Sequence, residues 1–296
     1  MKKIIIGFLV IVSICGFLVI VSIRGLLEGQ GWAERFKMPD LPQASTTKVV
    51  ALDKGSGAFL WQSISTNEVG NEGGKVFIRV TQNGSGRYGG SKEPIDWKIV
   101  GYYYADPYIR PYYSKKEIYS KSGKLLKADT FNYQYADKKI YFTRENKINN
   151  KTAQQTFKFE DDMIDKYILG TAILSYPFDK KRDFNFHYLS DEPKVYSLTL
   201  HYRGKEVVTV PAGTFECHKL EMTVDLGLLG IVGAFIPKTY FWYSSGGSIE
   251  CGEPIEWVKY EGLESGLGTP YIVMTLPEKP IRINKTENPT RESPKK

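Results

Sequence analysis

A chain of 296 residues with 42% hydrophobic content has room for one large domain or two small ones and can bury a sizeable core. Its formal charge of +7 is concentrated at the ends, around an apolar N-terminal segment and in residues 277–296, so the body is near neutral. No clustered basic face is left for nucleic acid, and an aromatic share of 14%, with twenty tyrosines, favours β structure.

Residues 4–23 carry no charge and follow Lys2 and Lys3. About 20 residues at helical rise span a bilayer core, and the leading lysines orient the N-terminus toward the cytoplasm. Length favours an uncleaved transmembrane helix in residues 1–24, which would anchor the chain in a membrane with its body on the side away from the cytoplasm. The alternative is a cleaved signal and a secreted body. Residues 25–48, with Pro39, Pro42 and a Ser-Thr-Thr run, read as a linker, and the folded body is expected over 49–276.

Within the body, short alternating runs predict strands at 76–81, 97–104, 112–119, 124–135, 140–144 and 156–159. Residues 120–123 end in glycine and form a hairpin-like turn. Residues 162–176 predict the one helix, capped by Asp161 or Asp162, striped by Met163, Tyr167, Ile168, Ala172 and Leu174, and stopped by Pro177. Strands resume at 184–188 and 195–202, then at 206–210 and 214–225 around the Pro211-Ala212-Gly213 turn. Further strands are expected at 239–243, 256–261 and 270–276, and residues 277–296 read as a disordered polar tail. The fold class is mainly β: a curved antiparallel sheet, or half-open barrel, wrapped around one central helix. A β-sandwich with an incidental helix is the competing architecture.

Motifs for chemistry are sparse. Gly84, Gly86 and Gly89 match a dinucleotide fingerprint in spacing, but Pro94 leads into another strand where the motif needs a helix N-terminus, so the stretch reads as a glycine-rich hairpin loop. His187, His201 and His218 are isolated on separate strands, with no metal-ligand spacing among them. No catalytic residue, metal ligand or cofactor is therefore assigned, and no enzyme is expected. Cys217 and Cys251 would approach if strand 214–225 pairs with strand 239–243, giving a candidate disulfide; two unpaired thiols are the alternative. The apolar connection 226–237 either extends both strands to a buried turn or forms a greasy tip.

PAGTF at 211–215, Lys219-Leu220-Glu221, TYFWYS at 239–244 and WVKYEG at 257–262 together resemble the bacterial domain of unknown function 3108 family. The match is best over 206–276 and extends more loosely back to about residue 75. That family is similar to the LolA/LolB-type lipoprotein carriers, half-open barrels that hold acyl chains. The resemblance implies a bacterial chain anchored in the inner membrane with its body in the periplasm, or secreted into the periplasm if the signal is cleaved, and binding of a lipid or lipoprotein-like apolar ligand. Its cavity or mouth would be lined by Leu220, Met222, Val224, Leu228, Leu229, Phe235, Tyr240, Trp242, Val258 and Tyr260. The alternative is a structural module of the envelope that binds another protein and has no ligand cavity.

Overall fold

The computed structural model describes residues 34–225, 237–246, 255–266 and 268–283. The chain divides into Met1–Glu34 and Arg35–Lys296, and every element described belongs to the second unit. The transmembrane expectation for residues 4–23 lies outside the described residues. Among those described, no helix is long and apolar enough to cross a membrane.

Eight antiparallel strands come first: β1 (Ala44–Asp53), β2 (Phe59–Glu72), β3 (Lys75–Gly86), β4 (Ile95–Ala105), β5 (Ile109–Ser120), β6 (Leu125–Gln134), β7 (Lys139–Asn146) and β8 (Lys151–Lys158). Each pairs with the next, as short hairpin connections favour. The chain then crosses over through β9 (Ile164–Asp165), the four-residue helix α1 (Leu169–Ala172) and a 3₁₀ turn at Ile173–Ser175. A second meander follows: β10 (Phe184–Leu189), β11 (Val195–Val210), β12 (Gly213–Val224), β13 (Thr239–Ser244), β14 (Trp257–Leu263) and β15 (Tyr271–Thr275). β15 lies antiparallel on β1, with Val50 opposite Thr275, and β16 (Ile281–Ile283) pairs with the start of β1. The result is one open, curved sheet whose path runs from β8 at one end to β9 at the other.

Several expectations need correction. The helix expected over residues 162–176 shrinks to α1 and its 3₁₀ turn. Asp162 is not its cap, because its carboxylate accepts from the His187 backbone N–H at 3.0 Å and pairs with His187 Nδ1 at 2.8 Å. Ile164 and Asp165 pair in parallel with Tyr188 and Leu189, which holds that stretch extended. Regular structure also begins before Val49: Phe36 is buried in the core, and β1 starts at Ala44. The segment expected to be a disordered tail supplies β16. In the glycine-rich stretch, Gly84 and Gly86 are still strand residues. Gly84 stands opposite Trp97 in register, where a Cβ would collide with the indole ring.

The main core lies where the crossover meets both meanders. Ile168, Ala172 and Ile173 pack in one cluster with Ile78 and Tyr103 from the first meander and Leu200, Leu220 and Phe241 from the second. Hydrogen bonds fix the same junction. Tyr103 and Tyr133 hydroxyls donate to the two Asp165 oxygens at 2.8 and 3.1 Å. The Tyr243 hydroxyl donates to the Gly170 carbonyl at 2.8 Å, and Asn67 Nδ2 donates to Thr171 Oγ1 at 3.0 Å. The crossover therefore ties strands from both halves of the sheet to a short, buried segment.

Candidate functional site

A cavity of about 480 Å³ opens between the crossover and the strands on either side of the β1–β15 junction. That volume lies within the range of small-molecule sites. Its walls differ in chemistry because the strands that build them present different residues at alternate positions. On one side, Met222 and Val224 from β12, Phe241 from β13, and Trp257 and Tyr260 from β14 give an apolar wall. On the other, Ser45 and Thr47 from β1, Ser63, Ser65 and Asn67 from β2, and Gln82 from β3 give a wall of hydroxyls and amides.

The cavity ends on a group of charges that are buried, apart from the half-buried Lys166. Asp191 Oδ2 accepts from Lys116 Nζ and from Lys166 Nζ, each at 3.0 Å, and from the Tyr88 hydroxyl at 3.4 Å. Lys116 also lies 4.4 Å from the centre of the Tyr88 ring. Lys166 spends its remaining donors on the Glu264 carbonyl at 3.2 Å and Ser265 Oγ at 2.7 Å. The Glu264 carboxylate accepts from the Trp61 indole N–H and from the Gly90 backbone N–H. Burial opposes ionisation of Asp191, yet the Lys166 and Lys116 ammonium groups more than offset it and hold the carboxyl well below its ordinary value. Glu264 moves the other way: burial raises it, against the hydrogen bond from Trp61.

The ten residues expected to line a ligand cavity separate into four groups. Met222, Val224 and Tyr260 line the cavity. Leu220 shares their face of β12 but is fully buried in the main core. Tyr240 and Trp242 belong to the opposite face of β13, where Trp242 and Val258 form a separate cluster with Val208, Val210, Cys217 and Leu276. These positions do not converge because neighbouring strand residues point to opposite faces. Val258 is displaced as well by the irregularity that sets Trp242 opposite Lys259 and Tyr243 opposite Trp257. Leu228, Leu229 and Phe235, with the rest of the 226–237 connection up to residue 236, lie outside the described residues.

Cys217 is a buried thiol that burial pushes up to about 12, and Cys251 lies outside the described residues. Cys217 stands opposite Ser244, so the pairing of β12 with β13 has the antiparallel sense on which the candidate disulfide rested. Each histidine has a polar neighbour: His187 with Asp162, His201 with Asp183 at 2.8 Å, and His218 with the Tyr202 hydroxyl at 3.1 Å. Among the described residues, no three His, Cys, Asp or Glu side chains converge as a metal site would require.

Sequence reasoning missed the charged end of the cavity. Lys116, Lys166, Asp191 and Glu264 come from β5, the crossover, the β10–β11 turn and the end of β14, with no spacing to link them. One signal was present. Ser114 and Lys116 occupy buried positions of β5 in step with the strand's alternation, and a lysine on an inward face calls for a buried partner.

The model of a family of proteins of unknown function, DUF3108, matches residues 58–248, from just before β2 to just after β13. The chain belongs to the DUF3108 family. Lys116, Lys166 and Asp191 lie within the DUF3108 match, and Glu264 lies beyond it. No curated protein matches the chain. Among solved structures, it is similar to a protein from Bacteroides fragilis NCTC 9343 described as exported, with a YmcC-like fold. That likeness has 9% identity and a TM-score of 0.34, covering 83% of this chain and 99% of the other. It is also similar to a protein described as a lipoprotein from Parabacteroides distasonis ATCC 8503. There the identity is 11% and the TM-score 0.33, with 84% of this chain and 99% of the other covered.

Proposed function

We propose that this DUF3108 member is a non-catalytic binding protein of the bacterial envelope, holding a lipid or lipoprotein-like apolar ligand in the cavity inside its curved sheet. Residues 4–23 would anchor it in the inner membrane, with the body in the periplasm. The observation that carries this reading is the cavity of about 480 Å³ with its wall of Met222, Val224, Phe241, Trp257 and Tyr260. Burying a methylene against such a wall is worth about 0.8 kcal/mol, so a single acyl chain has enough apolar surface to offset the cost of ordering it. The binding needs no cofactor.

Native mass spectrometry of the full chain, released from detergent, tests the proposal. Adducts of lipid mass that disappear in Met222→Asp are the expected result, because that substitution places a charge on the apolar wall without touching the fully buried Leu220. A bare mass that persists after added lipid would defeat the proposal and favour a protein-binding module of the envelope.

A further inference from the structure

The face of the first meander that points away from the cavity carries a second concentration of chemistry. On β4, Tyr103 is buried and bonded to Asp165, so Tyr102 and Tyr104 take the opposite face. On β5 the alternation breaks. Tyr102 stands opposite Tyr113 and Tyr103 opposite Pro111, which leaves Tyr112 as an extra residue. Pro111 and Ser114 on either side are buried, so this bulge turns two adjacent tyrosines outward together. The register continues the row across the sheet: Tyr113 stands opposite Asn132 of β6, and Asn132 opposite Tyr141 of β7. Tyr112 is 50% exposed and Tyr141 39%.

Tyr102, Tyr112, Tyr113, Asn132, Gln134 and Glu72 line an open hollow of about 340 Å³ on this face. None of these side chains is aliphatic, so an acyl chain finds no methyl wall here. Three phenol rings supply flat surface, while two exposed amides and one carboxylate supply donors and acceptors beside them. The rings are set in advance: Tyr102 lies 6.2 Å from Tyr113, and Tyr104 lies 5.2 Å from Tyr112. Cations stand close by, each with a partner. Arg79 pairs with Glu68 at 3.3 Å and lies over the Tyr102 ring. Lys75 lies over the Tyr104 ring and Arg110 over the Tyr135 ring. Glu72 is the one formal charge in the lining of the hollow.

We infer that this outer face is a binding platform for an uncharged, extended oligosaccharide of β-1,4-linked sugars. Such a sugar ring has two flat C–H faces and hydroxyls around its rim. The faintly positive C–H face meets the negative face of a tyrosine ring, and the rim hydroxyls reach Asn132, Gln134 and Glu72. Strands about 4.8 Å apart place Tyr102 and Tyr141, three strands from one another, about 14 Å apart, so the row is longer than a single sugar. Prepositioned rings lower the cost of ordering on binding. The platform lies on the face opposite the cavity, and its occupancy is independent of what the cavity holds.

Isothermal titration of the full chain, held in an amphipol without sugar groups, tests the inference with four probes. Cellohexaose and chitohexaose are uncharged and β-1,4-linked, and the tighter of the two identifies the sugar. Maltohexaose has the same size as cellohexaose but a curved backbone, and a hyaluronan hexasaccharide is extended but carries carboxylates. At least one of the first pair is expected to bind, and both controls to bind more weakly. Tyr112→Ala should weaken that binding about tenfold, the scale of one aromatic contact. Tyr112 is half exposed and Asn132 fully so, which makes Asn132→Ala a second variant should the first disturb the bulge. Absence of binding by both β-1,4-linked probes overturns the inference. So does equal binding of maltohexaose, tighter binding of the hyaluronan fragment, or an affinity unchanged in both folded variants.

Discussion

Asp165 and Asp191 are both carboxylates buried beside the crossover, and their surroundings could hardly differ more. Asp165 is enclosed by neutral donors: the Tyr103 and Tyr133 hydroxyls and the backbone N–H groups of Tyr167 and Ile168, the last two at 3.1 and 3.3 Å. Burial raises its pKa despite those hydrogen bonds. Asp191 is enclosed by cations, is lowered, and leaves one oxygen unused. The first carboxylate joins a segment to a sheet and is saturated by the chain's own groups. The second is held by cations on one oxygen only, while the other has no hydrogen-bond partner among the described residues.

The largest effect should come from Asp191→Ala, which strands the buried Lys116 ammonium and the half-buried Lys166 ammonium. A loss of about 3–5 kcal/mol in urea unfolding is expected, and a loss below about 1 kcal/mol would mean that the lysines have other support. Asp165→Ala should cost somewhat less, about 3 kcal/mol, because it orphans two phenol hydroxyls without leaving a buried charge. Retention of stability there would show that Tyr103 and Tyr133 find other acceptors.

Acidity separates the two sites by sign. A lowered folded pKa means that the contribution of Asp191 is present above its ordinary value of 3.8 and lost as pH falls below it. A raised folded pKa means that Asp165 is least costly below 3.8 and penalises the fold as pH climbs above it. Urea midpoints at about pH 3 and about pH 7 should therefore show Asp165→Asn gaining on the unmodified chain as pH rises, and Asp191→Asn losing ground. Parallel pH profiles would erase the distinction. The smallest effect belongs to His187, raised by its hydrogen bond to Asp162. Its contribution is present below its ordinary value of 6.5 and lost as pH rises through the raised value, and His187→Asn should cost under about 1 kcal/mol.

Much of this architecture was legible in the sequence because one-sided burial writes itself as alternation. Residues 97–104 and 195–202 declared their strands, and the Pro211-Ala212-Gly213 turn, with Gly213 at φ +139°, joins β11 to β12 where expected. β1 was read largely as linker because Ala44, Ser45, Thr46 and Thr47 look like a polar spacer; Ser45 and Thr47 in fact face the cavity, where a hydroxyl needs no apolar neighbour. β2 escaped for the same reason at Ser63, Ser65 and Asn67. The helix was overextended because its apolar stripe is equally the mark of a segment buried on several sides. Only Lys116, in step with the inward face of β5, hinted at the charge cluster, because its members meet only after both meanders have folded against the crossover.

The pairing of β1 with β15 has a consequence for how the molecule is made. β1 is not at a border of the sheet but in its interior, held by β2 on one side and β15 on the other. The hairpins of each meander close locally and quickly, whereas Val50 must wait for Thr275, almost the whole described length of the chain away. As the chain emerges from synthesis, its first finished strand is therefore also the last to be covered. Until the C-terminal hairpins arrive, β1 presents an unpaired row of backbone donors and acceptors. Maturation of this protein is a closing of the seam at its own starting point.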